Sequence, residues 1–298
     1  AYGLGNPFAG DVAFDANALH DVRSISKSVV GLLVGIAVRD GRIGSHSSPV
    51  LDAYPELADL RSQGRDAITI EHLLTMSSGL DWNEWGAGAL TSDETRLFWK
   101  ADPVRFLFDR ALVAAPGTRF DYNGGSTATL ADLLARATGK PLVEFAREGL
   151  FEPLGITHWE WARDVRGRPL AFAGLRMRPR DMAKLGRLVL ERGRWYERQV
   201  VPEGWIEASL RPHISTGDAF PPDPSQPNGY GYQWWAGRIE WRGRDVAWSA
   251  ALGNGGQRIY VVPELDLTVV ITAGAYGKRE IARTVADLFA GVVAAAAE

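Results

Sequence analysis

The sequence predicts an α+β fold in which helices flank an antiparallel sheet beside a mostly helical second region. The middle of the chain alternates helical segments with Gly- and Pro-rich turns, whereas four β-branched or aromatic runs follow residue 212. The turns between those runs are too short for crossover helices, so the strands are expected to pair antiparallel. Residues 1–44 and 216–298 are expected to form the sheet region and residues 45–215 the helical region, with the functional site at their interface.

The helices are predicted from apolar periodicity and from their end signals. The first runs from about residue 24 to residue 39, because residues 28–38 are nearly uncharged and Asp40-Gly41 is a typical helix stop. A short helix over residues 69–76 begins at Thr69, a residue suited to the N-cap. Further helices are expected over about residues 103–111, 126–138, 142–150, 179–191, 202–210 and 279–297.

The strands are predicted from β-branched and aromatic residues between turn residues. A sheet of this kind needs cover on its faces, which the terminal helix and the helix from residue 24 are expected to supply. The four runs are residues 232–241, 245–250, 257–262 and 267–273, and a short strand is also expected near residues 12–14.

Composition excludes several classes of function. The 298 residues are 46% hydrophobic and carry a net charge of −3, which is typical of a globular protein with one large domain or two interleaved ones and argues against a nucleic-acid partner. Cysteine is absent and the five histidines lack ligand spacing, so we expect no disulfide, no metal and no other cofactor. No apolar run reaches the ~18 residues of a membrane span.

Compartment and oligomeric state stay open at this point. The chain begins at Ala1 without a signal-peptide pattern. A periplasmic or secreted location fits a leader removed before this residue, and a cytoplasmic location fits a chain without one.

The segment Ser24-Ile25-Ser26-Lys27 carries the strongest chemical signal. Ser24 and Lys27 lie three residues apart at the start of a helix, so their side chains share one face. The spacing is that of the S-x-x-K nucleophile motif. Only five lysines occur among the 33 basic residues, and lysine, unlike arginine, can lose its proton and act as a base. The alternative is an N-cap serine beside a lysine whose charged end reaches solvent.

Further segments occur in an order that strengthens this signal. Together they make the chain resemble the serine β-lactamase-like family, in particular its class C branch. That branch comprises class C β-lactamases, D-alanyl-D-alanine carboxypeptidases, family VIII carboxylesterases and 6-aminohexanoate-dimer hydrolases. The resemblance implies the β-lactamase/DD-peptidase-like fold. The matching segments are Ser24-Ile25-Ser26-Lys27, Asp40-Gly41, residues 68–80, residues 116–123, residues 151–156, residues 180–186, residues 230–235 and Gly253-Asn254-Gly255-Gly256-Gln257.

The resemblance also implies catalytic roles. Ser24 is the expected nucleophile at a helix N-terminus, where the helix dipole favours a developing alkoxide. Lys27 is the expected base if burial disfavours its ammonium form. Tyr122 is expected to relay a proton to the leaving group, and its alternative role is that of a buried tyrosine with a satisfied hydroxyl. The backbone N–H groups of Ser24 and Gln257 are the expected oxyanion hole.

Two departures from the family pattern bear on substrate choice. The second motif is usually Tyr-x-Asn, but Gly124 stands at its third position, so the amide side chain is missing or moved to Asn123. The third motif of β-lactamases and peptidases begins with Lys, but Asn254 stands there, so the cation for a substrate carboxylate is missing. Both departures favour esters or small uncharged amides.

The candidate substrate-binding residues each have a structural alternative. Asn254 is suited to capping a turn, the glycines to a bulge or tight turn, and the aromatic residues to the hydrophobic core. The candidates are Trp82, Asn123, Tyr230, Asn254, Gly255 and Gly256.

Several functions compete. The leading one is a serine hydrolase that forms an acyl-enzyme with short-chain carboxylic esters, with a small molecule as its only expected partner. The alternatives are an amidase acting on small linear amides, a β-lactamase or DD-peptidase, and a binding homologue that does not turn over. An α/β-hydrolase with Ser126 as nucleophile is also considered, although Gly124-Gly125-Ser126-Thr127-Ala128 ends in Ala where the nucleophile elbow has Gly.

Overall fold

A computed structural model describes residues 15–85, 91–217, 227–278 and 280–296. The short strand expected near residues 12–14 lies outside these residues. The described α-helices are α1 Ile25–Arg39, α2 Ile70–Leu74, α3 Asp93–Arg96, α4 Pro103–Phe108, α5 Gly124–Thr138, α6 Leu142–Ala146, α7 Pro179–Leu190, α8 Glu203–Leu210 and α9 Ile281–Ala295. The described strands are β1 His20–Asp21, β2 Trp159–Trp161, β3 Leu175–Met177, β4 Arg194–Trp195, β5 Arg198–Gln199, β6 Ile214–Ser215, β7 Gly229–Tyr230, β8 Trp235–Trp241, β9 Arg244–Gly253, β10 Gln257–Val262 and β11 Leu267–Ile271.

Helix α1 occupies the centre of the hydrophobic core. Every residue from Ile25 to Ala37 is buried, because α1 packs against α5, α8, β9 and β10 on different sides. The helix ends at Asp40, whose N–H donates to the carbonyl of Ile36, and Gly41 follows with φ +66°. The helix expected from the apolar run and its Asp-Gly stop is therefore confirmed, and it brings Ser24 to the edge of the core.

The main sheet has six antiparallel strands in the order β11-β10-β9-β8-β7-β6. The four predicted runs form β8 to β11, and each pairs antiparallel with its neighbour along the chain, as expected. The strands β6 and β7 are two residues each, too short to leave a period-2 pattern in the sequence. The fold is mixed α+β, as predicted.

Helices cover both faces of the main sheet. On one face α9 packs through Phe289, whose ring stacks on that of Tyr260 with centroids 3.9 Å apart. On the other face, α1 contacts β9 and β10 and α7 contacts β10 and β11, with Ile259 and Val261 in the shared core. The sequence assigned α9 and α1 as covers, and α7 is a third. Among the described helices, none combines the length and apolar character needed to cross a bilayer.

A small three-stranded sheet holds the segment that leads into α1. Its order is β1-β3-β2, with β1 and β2 both antiparallel to β3. The N–H of Val22 adds one more bond to this sheet by donating to the carbonyl of Leu175 at 3.1 Å. This sheet sets the position at which the chain enters the nucleophile motif.

Candidate active site

Ser24 stands at the N-cap of α1 and is partly exposed. The preceding residue, Arg23, has the left-handed φ of +52°, which turns the chain sharply into the helix. The backbone just before this turn is tightly confined, because a Cβ added to Gly253 would lie 2.2 Å from the carbonyl oxygen of Val22. The nucleophile candidate is thus held between β3 and the end of β9.

Lys27 lies beside Ser24 with its charge inside the protein. Its side chain is 1% exposed, and Nζ is 3.3 Å from Ser24 Oγ. Nζ also donates to the carbonyl oxygen of Phe172 at 3.0 Å. Ser24 and Lys27 are therefore in contact, as expected from their spacing.

Tyr122 comes from the segment before α5 and completes the cluster. Its phenol lies close enough to Ser24 for that residue to lower its pKa, and the Nζ of Lys27 lies 4.8 Å from the centre of its ring. Burial raises the pKa of the Tyr122 phenol, and the Lys27 ammonium and Ser24 offset this rise only in part. Ser24, Lys27 and Tyr122 are therefore brought together from two distant parts of the chain.

Two glutamates that the sequence did not single out also face Lys27. Glu94 Oε2 is 3.2 Å from Nζ, and Glu84 Oε1 is 3.4 Å from it. Burial alone would lower the pKa of Lys27, but the charges of Glu94, Tyr122 and Glu84 outweigh it, so the pKa lies above its ordinary value. This direction is opposite to the one expected from burial at a helix N-terminus, because the expectation did not include these carboxyl groups.

The two glutamates differ in their surroundings. The Oε2 of Glu84 accepts hydrogen bonds from the indole N–H of Trp82 at 2.7 Å and from the N–H of Gly124 at 2.8 Å. Burial and the charge of Glu94 raise the pKa of Glu84 well above its ordinary value. Burial would also raise the pKa of Glu94, but Lys27 and the bond with Glu84 outweigh it, so the pKa of Glu94 is lowered. The surroundings therefore move the pKa values of the two carboxyl groups in opposite directions.

The glycine that departs from the second motif makes room for these carboxyl groups. A Cβ on Gly124 would lie 3.0 Å from Glu94 Oε2 and 3.3 Å from Glu84 Oε2. A side chain at this position would therefore crowd the pair and require it to shift. Asn123 has a different local role, because it is buried and its Oδ1 accepts from the N–H of Ser126 at 2.9 Å as the N-cap of α5.

The third-motif segment forms a tight turn between β9 and β10. Gly255 and Gly256 have φ of +87° and +93°, a conformation that favours glycine. A Cβ on Gly255 would lie 2.5 Å from the ring of Tyr276. Asn254 is exposed, and its Oδ1 accepts from the N–H of Gly277 at 2.8 Å. Gln257 opens β10 directly after this turn.

The aromatic candidates lie at different depths around Tyr122. Trp82 is 5% exposed, and its indole N–H donates a hydrogen bond to Glu84. Tyr230 is 1% exposed and packs edge-on against Tyr122. Trp235 stacks against the Tyr122 ring with centroids 5.2 Å apart, and Trp85, 66% exposed, lies parallel to that ring at 6.1 Å. Trp85 is therefore the aromatic residue of this cluster that faces solvent.

Ser126, the nucleophile of the α/β-hydrolase alternative, lies inside the first turn of α5 and is 0% exposed. Its surroundings contain no strand that leads into it, and the main sheet is antiparallel. A nucleophile elbow needs a strand-turn-helix unit on a parallel sheet. That alternative is therefore wrong.

Comparison with known proteins agrees with this architecture. The model of the family described as Beta-lactamase matches residues 1–291. The chain is similar to a 6-aminohexanoate-dimer hydrolase from Paenarthrobacter ureafaciens, with 28% identity over 267 residues that cover 84% of this chain and 65% of that protein. It is also similar to esterase EstB from Burkholderia gladioli, with 32% identity over 149 residues that cover 47% of this chain and 38% of that protein. The chain thus spans less than two thirds of the length of either relative.

A solved structure shows the same fold. A β-lactamase/D-alanine carboxypeptidase from Yersinia pestis complexed with citrate aligns with a TM-score of 0.73 at 18% identity, covering 97% of this chain and 87% of that chain. The described helices and antiparallel sheets therefore form the β-lactamase/DD-peptidase-like fold that the motifs predicted.

Proposed function

The chain belongs to the Beta-lactamase family of serine hydrolases, and we propose that it cleaves short-chain carboxylic esters through a covalent acyl-enzyme. The observation that carries the proposal is the convergence of Ser24, Lys27 and Tyr122, with Ser24 Oγ 3.3 Å from Lys27 Nζ and Nζ 4.8 Å from the centre of the Tyr122 ring. A partly exposed hydroxyl beside two groups that can transfer protons is the arrangement that an activated nucleophile requires.

In this mechanism Ser24 Oγ attacks the ester carbonyl and its proton enters the dyad formed by Lys27 and Tyr122 at Lys27 Nζ, which passes one of its own protons to the carboxylate of Glu94, 3.2 Å away. Collapse of the tetrahedral intermediate breaks the bond to the leaving alkoxide, which takes a proton from Tyr122, and Tyr122 recovers that proton through Lys27 from Glu94. Water then attacks the acyl carbon and gives its proton to the same relay, which returns it to Ser24 Oγ as the acid leaves. The proposed oxyanion hole consists of the backbone N–H groups of Ser24 and Gln257, each of which would be worth about 10²–10³ in rate.

The surroundings of the dyad support a neutral acyl group. The third-motif position carries Asn254, whose Oδ1 is engaged with the N–H of Gly277, so it presents no cation to a carboxylate. The position of Gly124 offers no amide side chain. Aromatic side chains, among them Trp85 and Trp235, border Tyr122 and provide apolar contact area.

Hydrolysis of small linear amides is the second candidate. It is favoured by the similarity to a 6-aminohexanoate-dimer hydrolase, which covers 84% of this chain. An amine is a poorer leaving group than a phenolate or an alkoxide, so amide cleavage would depend more on proton delivery by Tyr122.

Mass spectrometry of the intact protein after mixing with p-nitrophenyl butyrate, a linear amide or a penicillin tests the proposal. We expect a butyryl adduct on the peptide that contains Ser24, a burst of p-nitrophenol and continued turnover. Ser24→Ala removes both the adduct and turnover, whereas Ser126→Ala, a serine outside the dyad, keeps them. Turnover of the amide but not of the ester would indicate an amidase. Rapid turnover of the penicillin would indicate a β-lactamase. An adduct that persists with all three substrates would select a binding homologue.

A further inference from the structure

Two carboxyl groups lie beside Lys27 in this site. Glu94 Oε2 and Glu84 Oε1 lie 3.2 Å and 3.4 Å from Nζ. We propose that Glu84 and Glu94 share one proton and act as a single negative charge that holds Lys27 as an ammonium ion beside Ser24. This inference rests on the proposed function, and both glutamates are positioning residues because they act through Lys27.

The hydrogen-bond pattern locates the shared proton. Glu84 Oε2 is saturated by the N–H groups of Trp82 and Gly124, and the buried Oε1 meets no hydrogen-bond donor among the described residues within bonding geometry. A proton on Oε1 turns this orphaned atom into a donor to the Glu94 carboxylate. Glu84 is the more deeply buried partner, with 4% of its side chain exposed against 26% for Glu94, so it is the one that stays neutral. The raised pKa of Glu84 and the lowered pKa of Glu94 agree with this order.

Gly124 leaves room for the two carboxyl groups. The Cβ distances at Gly124 show that a side chain there would crowd Glu84 and Glu94. Where the second motif of the family usually has an asparagine, this chain has Gly124, and two acids lie beside Lys27.

The charge balance of the cluster predicts redundancy. The groups that face Lys27 are Tyr122, Glu84, Glu94 and the carbonyl of Phe172, and Arg23, paired with Asp21, acts on Glu94 from a longer distance. If Glu94 becomes glutamine, Glu84 loses its anionic neighbour and ionises, and if Glu84 becomes glutamine, Glu94 stays ionised, so Lys27 keeps a counterion in either variant. If both become glutamine, no carboxylate remains beside Lys27 and burial lowers its pKa.

Nuclear magnetic resonance of the protein labelled with ¹⁵N at lysine Nζ tests this directly, because only five lysines contribute signals. The Lys27 signal is identified by its loss in Lys27→Arg. We expect it to remain that of an ammonium ion up to about pH 10 in the natural protein, in Glu84→Gln and in Glu94→Gln. In the double variant we expect it to titrate at least about 2 pH units lower.

The pH profile of ester hydrolysis supplies a second readout. The acid limb of kcat/KM should lie at higher pH in Glu94→Gln than in Glu84→Gln, because the carboxyl group that remains in the former is more buried and has the higher pKa. Glu203→Gln, an exposed glutamate that pairs with Arg192, is the matched control and should change neither readout.

Three outcomes overturn the inference. The first is a Lys27 pKa in either single variant that is as low as in the double variant. The second is a Lys27 pKa in the double variant that equals that of the natural protein. The third is an acid limb of kcat/KM at the same pH in the two single variants. The last outcome applies even if the double variant does not fold. Failure of the natural protein to form an acyl-enzyme would reject the proposed function instead, and the resonance titration would still decide the state of the carboxyl pair.

Discussion

The hydroxyl of Ser28 donates a hydrogen bond of 2.6 Å to the backbone carbonyl of Gln233, which ties the nucleophile helix to the turn before β8. The side chain of Gln233 extends the connection. Its Nε2 donates to the carbonyl of Leu74 at 3.0 Å, and its Oε1 accepts from the hydroxyl of Thr127 at 2.8 Å. Through its backbone carbonyl and its side chain, the buried Gln233 therefore connects α1, which Ser24 caps, with α5, which begins just after Tyr122.

Replacing Gln233 by alanine should lower the free energy of unfolding by about 2–4 kcal/mol, because it leaves several buried polar groups unpaired. Urea denaturation measures the change. The matched control is Gln63→Ala, since Gln63 has a similar left-handed φ (57° against 64°) but is exposed. Equal losses in the two variants would show that the backbone conformation, and not the hydrogen bonds, causes the effect.

Local patterns explain why much of this arrangement could be predicted from the sequence. Ser24 and Lys27 meet because both lie on one helical turn, and strands such as β10 contain β-branched or aromatic runs, here Ile259-Tyr260-Val261-Val262. The antiparallel pairing followed from short turns. These features depend on neighbours in the chain, so a single sequence contains them.

The carboxyl pair could not be predicted in the same way. Glu84 and Glu94, the latter in α3, come from a tryptophan-rich part of the sequence without periodicity, and their burial depends on how α5 and the residues around Phe172 pack on α1. The one available signal was Gly124 in place of asparagine, because a missing side chain leaves a volume that other groups must fill. The glutamates raise the pKa of Lys27, whereas burial at a helix N-terminus alone predicts a lowered one.

Two helical glycines should respond to alanine with opposite signs. A Cβ on Gly35 in α1 would lie 2.3 Å from the indole of Trp205, whereas a Cβ on Gly291 in α9 meets no atom of the described residues within 4 Å. We expect Gly35→Ala to destabilise the protein by about 1–3 kcal/mol through overpacking and Gly291→Ala to stabilise it by about 0.5–1 kcal/mol through helix propensity. Thermal unfolding of both variants tests the contrast, and a stabilising Gly35→Ala would contradict the packing around α1.

The Asp164 carboxylate should make stability depend on pH. It accepts from the N–H groups of Arg166 at 2.8 Å and Arg168 at 2.9 Å. Partial burial would raise the pKa of Asp164, but these bonds and the Arg168 side chain outweigh it and hold the pKa below its ordinary value. Because the folded-state pKa is the lower one, the stabilisation is present above the unfolded value of about 3.9 and is lost as the pH falls through the folded value.

Asp164→Asn should therefore cost about 1–2 kcal/mol at pH 7 and progressively less towards pH 3. Urea titrations at a series of pH values measure the difference from the natural protein. Asp59→Asn is the control, because Asp59 pairs with Arg105 on the exposed surface, where ion pairs contribute little. A difference that stays constant with pH would assign the effect to shape and not to charge.

Trp85 should act on the acyl group of the substrate, since its largely exposed ring lies parallel to that of Tyr122 with an interplanar angle of 6°. We expect Trp85→Ala to lower kcat/KM for phenylacetyl esters about 2–12-fold more than for acetyl esters, which corresponds to the loss of one aromatic contact. Trp85→Phe should keep most of the preference, and Tyr196→Ala, an exposed aromatic residue on the β4–β5 turn, should leave it unchanged. An equal loss with both esters would place Trp85 outside the acyl subsite.

The charge missing from the third motif should be restorable at Asn254, which is exposed at the turn beside the nucleophile segment. Asn254→Lys should raise kcat/KM for an ester whose acyl group carries a carboxylate about 3–10-fold relative to a neutral ester of the same shape, because a cation there attracts the carboxylate. The gain should shrink when the salt concentration rises from about 0.01 M to about 1 M, because the Debye length falls to about 3 Å.

Loss of the Asn254 side chain must be separated from the gain of charge. Asn254→Ala removes the acceptor for the N–H of Gly277 and adds no cation, so it should lower turnover of both esters alike. If the alanine variant changes the ratio between the charged and neutral esters as much as the lysine variant does, the turn geometry determines selectivity. If only the lysine variant changes it, and salt reverses the change, the neutral third motif is what directs this enzyme away from carboxylate-bearing substrates.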